Sequence, residues 1–152
     1  IPQILSQTSG ALKKMNLRGL FMAMAMLKIK DGAMTLCVAG MPSVLIYRAA
    51  SETVEEISLR AMPLGSITRT KYQAREIVLG KGDVVVLMSD GFPEMFNPEN
   101  EMLGFDKAAE VLMEIGINSP QEIIDRFVEV SQKWAGARPA DDDVTFVVLK
   151  AV

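Results

Sequence analysis

Histidine is absent from all 152 residues. That removes the Ser-His-Asp and Cys-His catalytic sets, His-based zinc sites and phosphohistidine relays. Cysteine occurs once, as Cys37, which forbids an internal disulfide and suits a reducing, cytoplasmic compartment, whether or not upstream domains tether the parent protein to a membrane. Long apolar runs are missing too. The longest, Leu20 to Leu27, has eight residues, against the roughly 20 that a membrane span requires, so no membrane contact is expected of this segment. The first 30 positions hold no Asp or Glu but carry Lys13, Lys14, Arg18, Lys28 and Lys30, so the net charge of -3 hides an asymmetry. This basic head reads as a solvated helix face plus strand-end lysines. With nine aromatics in the chain and no nucleic-acid-binding motif, nucleic acid is not an expected partner. Chemistry is left to carboxylates, hydroxyls, Lys, Arg and one thiol.

What remains is ordinary globular material, 49% apolar and 23% charged, at a length that suits one domain. Ile1, Leu5, Thr8, Leu12 and Met15 share one face of a predicted helix over 1–16, ended by Arg18-Gly19. Leu20 to Lys30 reads as a strand buried on both faces. Asp31-Gly32 is a two-residue hairpin signal, and Ala33 to Ala39 is its return strand. Gly40-Met41-Pro42 interrupts the chain before strands at Val44 to Arg48 and Val54 to Arg60. After a turn at Met62 to Gly65, Tyr72 to Leu79 alternates and Gly80 to Asp83 turns. Val84 to Met88 is a continuous apolar strand of the kind found at the centre of a sheet. Asp106 to Ile115 is an amphipathic helix. Ser119-Pro120-Gln121-Glu122 is a capping box that opens a second helix running to about Ala135, where Gly136 follows. Val144 to Lys150 is the last strand. Hairpins followed by clustered helices predict an α+β fold with antiparallel sheets.

Two acidic segments lie at predicted strand ends. Ser89-Asp90-Gly91 follows the apolar strand, and Asp141-Asp142-Asp143 precedes the last one. If those strands are antiparallel neighbours, the carboxylates converge, and their repulsion is relieved by a cation, with Mg²⁺ or Mn²⁺ suited to oxygen ligands. Taken singly, Asp-Gly also reads as a common turn pair, and the Asp run as a solvated boundary before a strand.

At these residues the chain resembles the PPM-type (type 2C) protein serine/threonine phosphatases, in the bacterial branch of the stage II sporulation protein E phosphatase domain. Ser89-Asp90-Gly91-Phe92-Pro93-Glu94 matches the branch's [ST]-D-G-x-x-E segment, and Asn97 its following Asn. Leu103-Gly104-Phe105 matches the next step, and Asp142-Asp143-Val144-Thr145 the closing D-[DN]-x-T. Upstream, Ala39-Gly40-Met41-Pro42 stands where the family often has A-G-H-x-P, so Met41 replaces a common His. Pro63-Leu64-Gly65 and Gly82-Asp83 match two further turns.

The resemblance implies a two-layer sandwich of antiparallel sheets flanked by helices, as one domain over 1–152. It also implies a binuclear Mn²⁺ or Mg²⁺ site whose bridging water attacks phosphoserine or phosphothreonine. By the match, Asp90 and Asp142 are metal ligands, and Asp143 joins them at a position that is Asn in many relatives. Glu94 lies near the site, and Thr145 supports the turn through its hydroxyl. Arg138 reads as an ion-pair partner of the Asp run rather than a phosphate contact. The implied substrate is a phosphorylated protein, in this branch an anti-sigma-factor antagonist. The family's first metal motif, D-G-x-G, belongs upstream of the helix over 1–16 and is not in these residues. The expectation is therefore a domain lacking its N-terminal strands, with an uncovered sheet edge inviting homodimerisation. The competing readings are a non-catalytic PPM-fold regulatory or binding module, and a fragment that is inactive without the D-G-x-G motif. A phosphohydrolase of the haloacid dehalogenase kind needs D-x-D-x-T after a strand, and no predicted strand here is followed by one.

Overall fold

The computed structural model describes residues 1–16, 19–67 and 70–152. In chain order its elements are α1 (Pro2–Lys14), β1 (Met24–Lys30), β2 (Ala33–Ala39), β3 (Val44–Arg48), β4 (Thr53–Ile57), β5 (Ala74–Val78), β6 (Val84–Met88), α2 (Phe105–Ile115), α3 (Pro120–Ala135) and β7 (Phe146–Lys150). They form two antiparallel sheets with flanking helices, in strand orders β1-β2-β5 and β4-β3-β6-β7. The chain divides into two compact units, one of residues 1–41 with 58–79, the other of residues 42–57 with 80–152.

In the first unit, the hairpin predicted at Asp31-Gly32 forms. Both residues take positive φ, 51° and 75°, as a type I′ turn requires, and the register runs from Lys30↔Ala33 to Met24↔Ala39. Helix α1 buries Leu5 and Ser9, and Leu5 joins Cys37, Ala39, Leu64 and Tyr72 in a cluster. Burial raises the pKa of the Cys37 thiol. The Ser9 hydroxyl accepts the Gly65 N–H at 3.0 Å, which satisfies a buried polar group. The helix ends at Lys14, with Asn16 at a φ of 50°; Arg18, half of the expected stop, lies outside the described residues.

The expectation for Leu20 to Lys30 is corrected. The strand begins at Met24, and no residue in it is fully buried. Leu20, Phe21 and Met22 are 74%, 56% and 43% exposed, with Met22 held by an isolated bridge to Leu64. The reason is position in the sheet: β1 hydrogen-bonds to β2 alone among the described residues, so it is an edge strand.

In the second unit, β6 lies between β3 and β7 and is buried at all five positions, as its unbroken apolar run requires. Strand β4 stops at Ile57, three residues short of expectation, because its ladder with β3 ends at Val44↔Ile57. Helix α3 starts on the predicted capping box: Ser119 Oγ accepts the Glu122 N–H and Glu122 Oε2 accepts the Ser119 N–H, with Pro120 in the first turn. Ile123 and Phe127 on its inner stripe are fully buried, with Val130 and Trp134 packed beside them. Together these elements enclose a core built on Leu45, Tyr47, Val84, Val86, Phe92 and Leu112.

Candidate metal centre

The site grows out of the antiparallel pairing of β6 with β7, which sets Met88 opposite Phe146. The chain leaving β6 therefore runs beside the chain entering β7, as the acidic segments required. The ladder continues one step past the strands, where the Ser89 N–H donates to the Thr145 carbonyl at 3.0 Å. The Ser89 hydroxyl then bridges the two segments, donating to the Asp143 carbonyl and accepting the Thr145 N–H, both at 3.0 Å. Next in the chain, Gly91 is buried against the opposite backbone. A Cβ at Gly91 would stand 2.4 Å from the Asp143 carbonyl oxygen and 3.4 Å from that of Asp142, so only glycine allows this approach.

The turn after Asp90 is anchored from below. Phe92 is fully buried, edge-on to Phe127 of α3 and Phe146 of β7, with ring centroids 5.2 and 5.1 Å away. The Glu94 N–H closes the turn onto the Asp90 carbonyl at 2.9 Å. Trp134 Nε1 donates to the Met95 carbonyl, tying α3 to the same loop. The carboxylate of Asp90 is left exposed at the rim of a rigid seat, and Asp142 and Asp143 are exposed on the facing segment. Asp142 Oδ1 accepts the Asp143 N–H at 2.7 Å, which orients one of its two oxygens.

Asp141 is turned to another task. Its carboxylate takes both oxygens' bonds from Arg138 Nη2, at 3.0 and 3.3 Å, the ion pair expected of Arg138. The same guanidinium donates to Asn100 Oδ1 and the Asn97 carbonyl and lies 5.3 Å over the Phe96 ring. Arg138 thus straps the loop at 96–100 to the acidic segment. Thr145 departs from expectation: its main chain bonds Ser89, and the hydroxyl that supports the turn is that of Ser89. Asp141 to Thr145 has the D-x-D-x-T spacing of the haloacid dehalogenases, but it precedes β7 instead of following a strand.

Among the described residues no three Asp, Glu, Cys or His side chains gather into a metal-holding group. Asp90 and Asp142 nonetheless offer the donor chemistry of a hard cation. Mg²⁺ is commonly held by one or two carboxylates, with water and substrate phosphate completing its shell. A pair of exposed carboxylates on abutting, rigid turns fits that pattern.

This antiparallel architecture is that of the PP2C-type phosphatase domains. The SiaA PP2C domain of Pseudomonas aeruginosa matches over 97% of this chain and 58% of its own, with a TM-score of 0.83 at 21% identity. The phosphatase domain of the cell fate determinant SpoIIE from Bacillus subtilis, presoaked with Mn, matches over 98% and 72%, with a TM-score of 0.66 at 20% identity. The RsbU and RsbW domains of a Mycobacterium tuberculosis protein match over 99% and 41%, with a TM-score of 0.71 at 22% identity. The chain thus spans less than two thirds of the SiaA domain's length. No curated protein sequence matches it. The chain belongs to the Stage II sporulation protein E (SpoIIE) family, which it matches across residues 1–152. No described helix is long and apolar enough to cross a membrane.

Proposed function

We propose that this chain is a PPM-type domain, the larger part of a metal-dependent protein serine/threonine phosphatase, in which Asp90 and Asp142 hold Mn²⁺ or Mg²⁺. The observation that carries this reading is the abutment of two acid-bearing turns, one at the end of β6 and the other at the start of β7, in a chain matching the phosphatase family from end to end. Bound metal would supply an activated water and charge neutralisation on the phosphoryl oxygens. The chain's own part is to hold those ions with carboxylates on rigid seats and to leave the rim open to a phosphoprotein. The sporulation branch supports phosphoserine on an anti-sigma-factor antagonist as substrate, acting in the cytoplasm. Asp143 is assigned a supporting place beside Asp142.

A second reading, a PPM-fold module that binds a partner without catalysis, draws on Met41 where relatives often have His and on the lack of a three-acid cluster among the described residues. Phosphate release from a phosphoserine peptide, with and without Mn²⁺, separates the two. The chain joined to an upstream D-G-x-G segment is expected to turn over only with Mn²⁺, and the 152 residues alone to be weak. Robust turnover by the 152 residues would remove the need for that motif, and no turnover in either form would favour the binding module.

The exposed Leu20 to Met22 and the free edge of β1 also support self-association. Sedimentation at high protein concentration is expected to show a dimer, and a strictly monomeric boundary would contradict it.

A further inference from the structure

The geometry points to Ser89 as the positioning residue of the metal centre: its hydroxyl, with the bare backbone of Gly91, fixes the spacing between the turns that carry Asp90 and Asp142. This rests on the metal reading proposed above and adds a residue to it.

Three observations converge on the role. The Ser89 hydroxyl is used in both directions at once, as donor to the Asp143 carbonyl and acceptor from the Thr145 N–H. Both bonds cross between segments more than 50 residues apart, so neither serves the turn Ser89 belongs to. Gly91, two residues on, meets the Asp143 carbonyl at a distance a side chain would forbid. Asp90 lies between these two fastenings, and Asp142 directly precedes the residue that both of them grip. A pair of carboxylates can share a cation only when their separation is held against mutual repulsion. Groups that hold ligands in this way typically set metal affinity by ten- to hundredfold.

The test uses Ser89→Ala, Ser89→Thr and a control, Ser119→Ala, which weakens the cap of α3 away from the clamp. Mn²⁺ affinity is measured by calorimetry, and Thr145 amide exchange is measured in the metal-free chain. Ser89→Ala is expected to weaken Mn²⁺ binding about tenfold and to speed Thr145 exchange about tenfold. Ser89→Thr should restore both, and Ser119→Ala should change neither. Unchanged Thr145 exchange in Ser89→Ala, or an equal loss of affinity in Ser119→Ala, would overturn the assignment. If the unsubstituted chain binds no Mn²⁺, the metal reading falls instead. Thr145 exchange then decides the clamp by itself: faster exchange in Ser89→Ala upholds it, and unchanged exchange overturns it.

Discussion

Replacing Asp83 by Ala is expected to lower the unfolding free energy by about 3 kcal/mol. Asp83 is 4% exposed, at the start of the central strand β6. Its Oδ1 accepts the Ala49 N–H at 3.0 Å, and its Oδ2 accepts the Gly80 N–H at 3.0 Å and Arg48 Nη1 at 2.9 Å. One carboxylate thereby ties the turn after β3 to the turn before β6. The Asp83 carbonyl accepts the Ala151 N–H and adds the chain beyond β7 to the same knot. Truncation strips two main-chain donors of their acceptor and takes one of Arg48's carboxylate partners, and the desolvation of those stranded groups has no compensation. Chemical denaturation of the variant checks this.

The same residue predicts an acid response. Burial by itself would raise the Asp83 pKa, but the bonds from the Gly80 N–H, the Arg48 guanidinium and the Ala49 N–H outweigh it and hold the carboxyl below its ordinary value. A carboxylate depressed in the folded state contributes stability above its unfolded pKa, about 3.9, and loses it as pH falls through the lower folded value. The wild type should therefore lose stability steeply below about pH 4, and Asp83→Ala should lose less over that window. Parallel acid profiles for the two proteins would refute the assignment.

In the chain joined to an upstream D-G-x-G segment, Asp90→Asn is expected to reduce Mn²⁺-dependent phosphate release more than about a hundredfold, beyond the range typical of groups that only orient ligands. The carboxylate is exposed at the end of β6, and the turn beneath it is held by Phe92 and by the Glu94 N–H on the Asp90 carbonyl. Neither support uses the side chain, so the amide should leave thermal stability close to that of the parent. Asp142→Asn should behave alike in activity, since the amide keeps the size of the group while removing its charge. A variant that lost activity together with its fold would assign Asp90 a structural task instead.

Local signals in the sequence transferred well to the structure. Asp31-Gly32 needs positive φ at both positions, and few sequences supply that so readily; Val84 to Met88 has no polar face to show to solvent; Ser119 and Glu122 satisfy each other three residues apart. Failures came where the outcome depends on neighbours distant in the chain. Leu20 to Lys30 is apolar enough for a buried strand, yet its burial is decided by what pairs with it, and among the described residues Met24 to Lys30 pairs with β2 alone. The acids at 90 and 142 stood out by their places at strand ends. The Ser89 clamp did not, because a serine before Asp-Gly carries no mark of a partner 54 and 56 residues away. Asp83 was legible as a turn residue. Its burial against Arg48, 35 residues earlier, became visible only with the sheet order.

A Mn²⁺ titration of the chain beside its Asp90→Asn and Asp142→Asn variants asks whether these two carboxylates hold the metal. Saturable binding to the parent is expected, weakened more than about a hundredfold by either substitution. Binding of equal strength in all three proteins, or none in the parent, would contradict it.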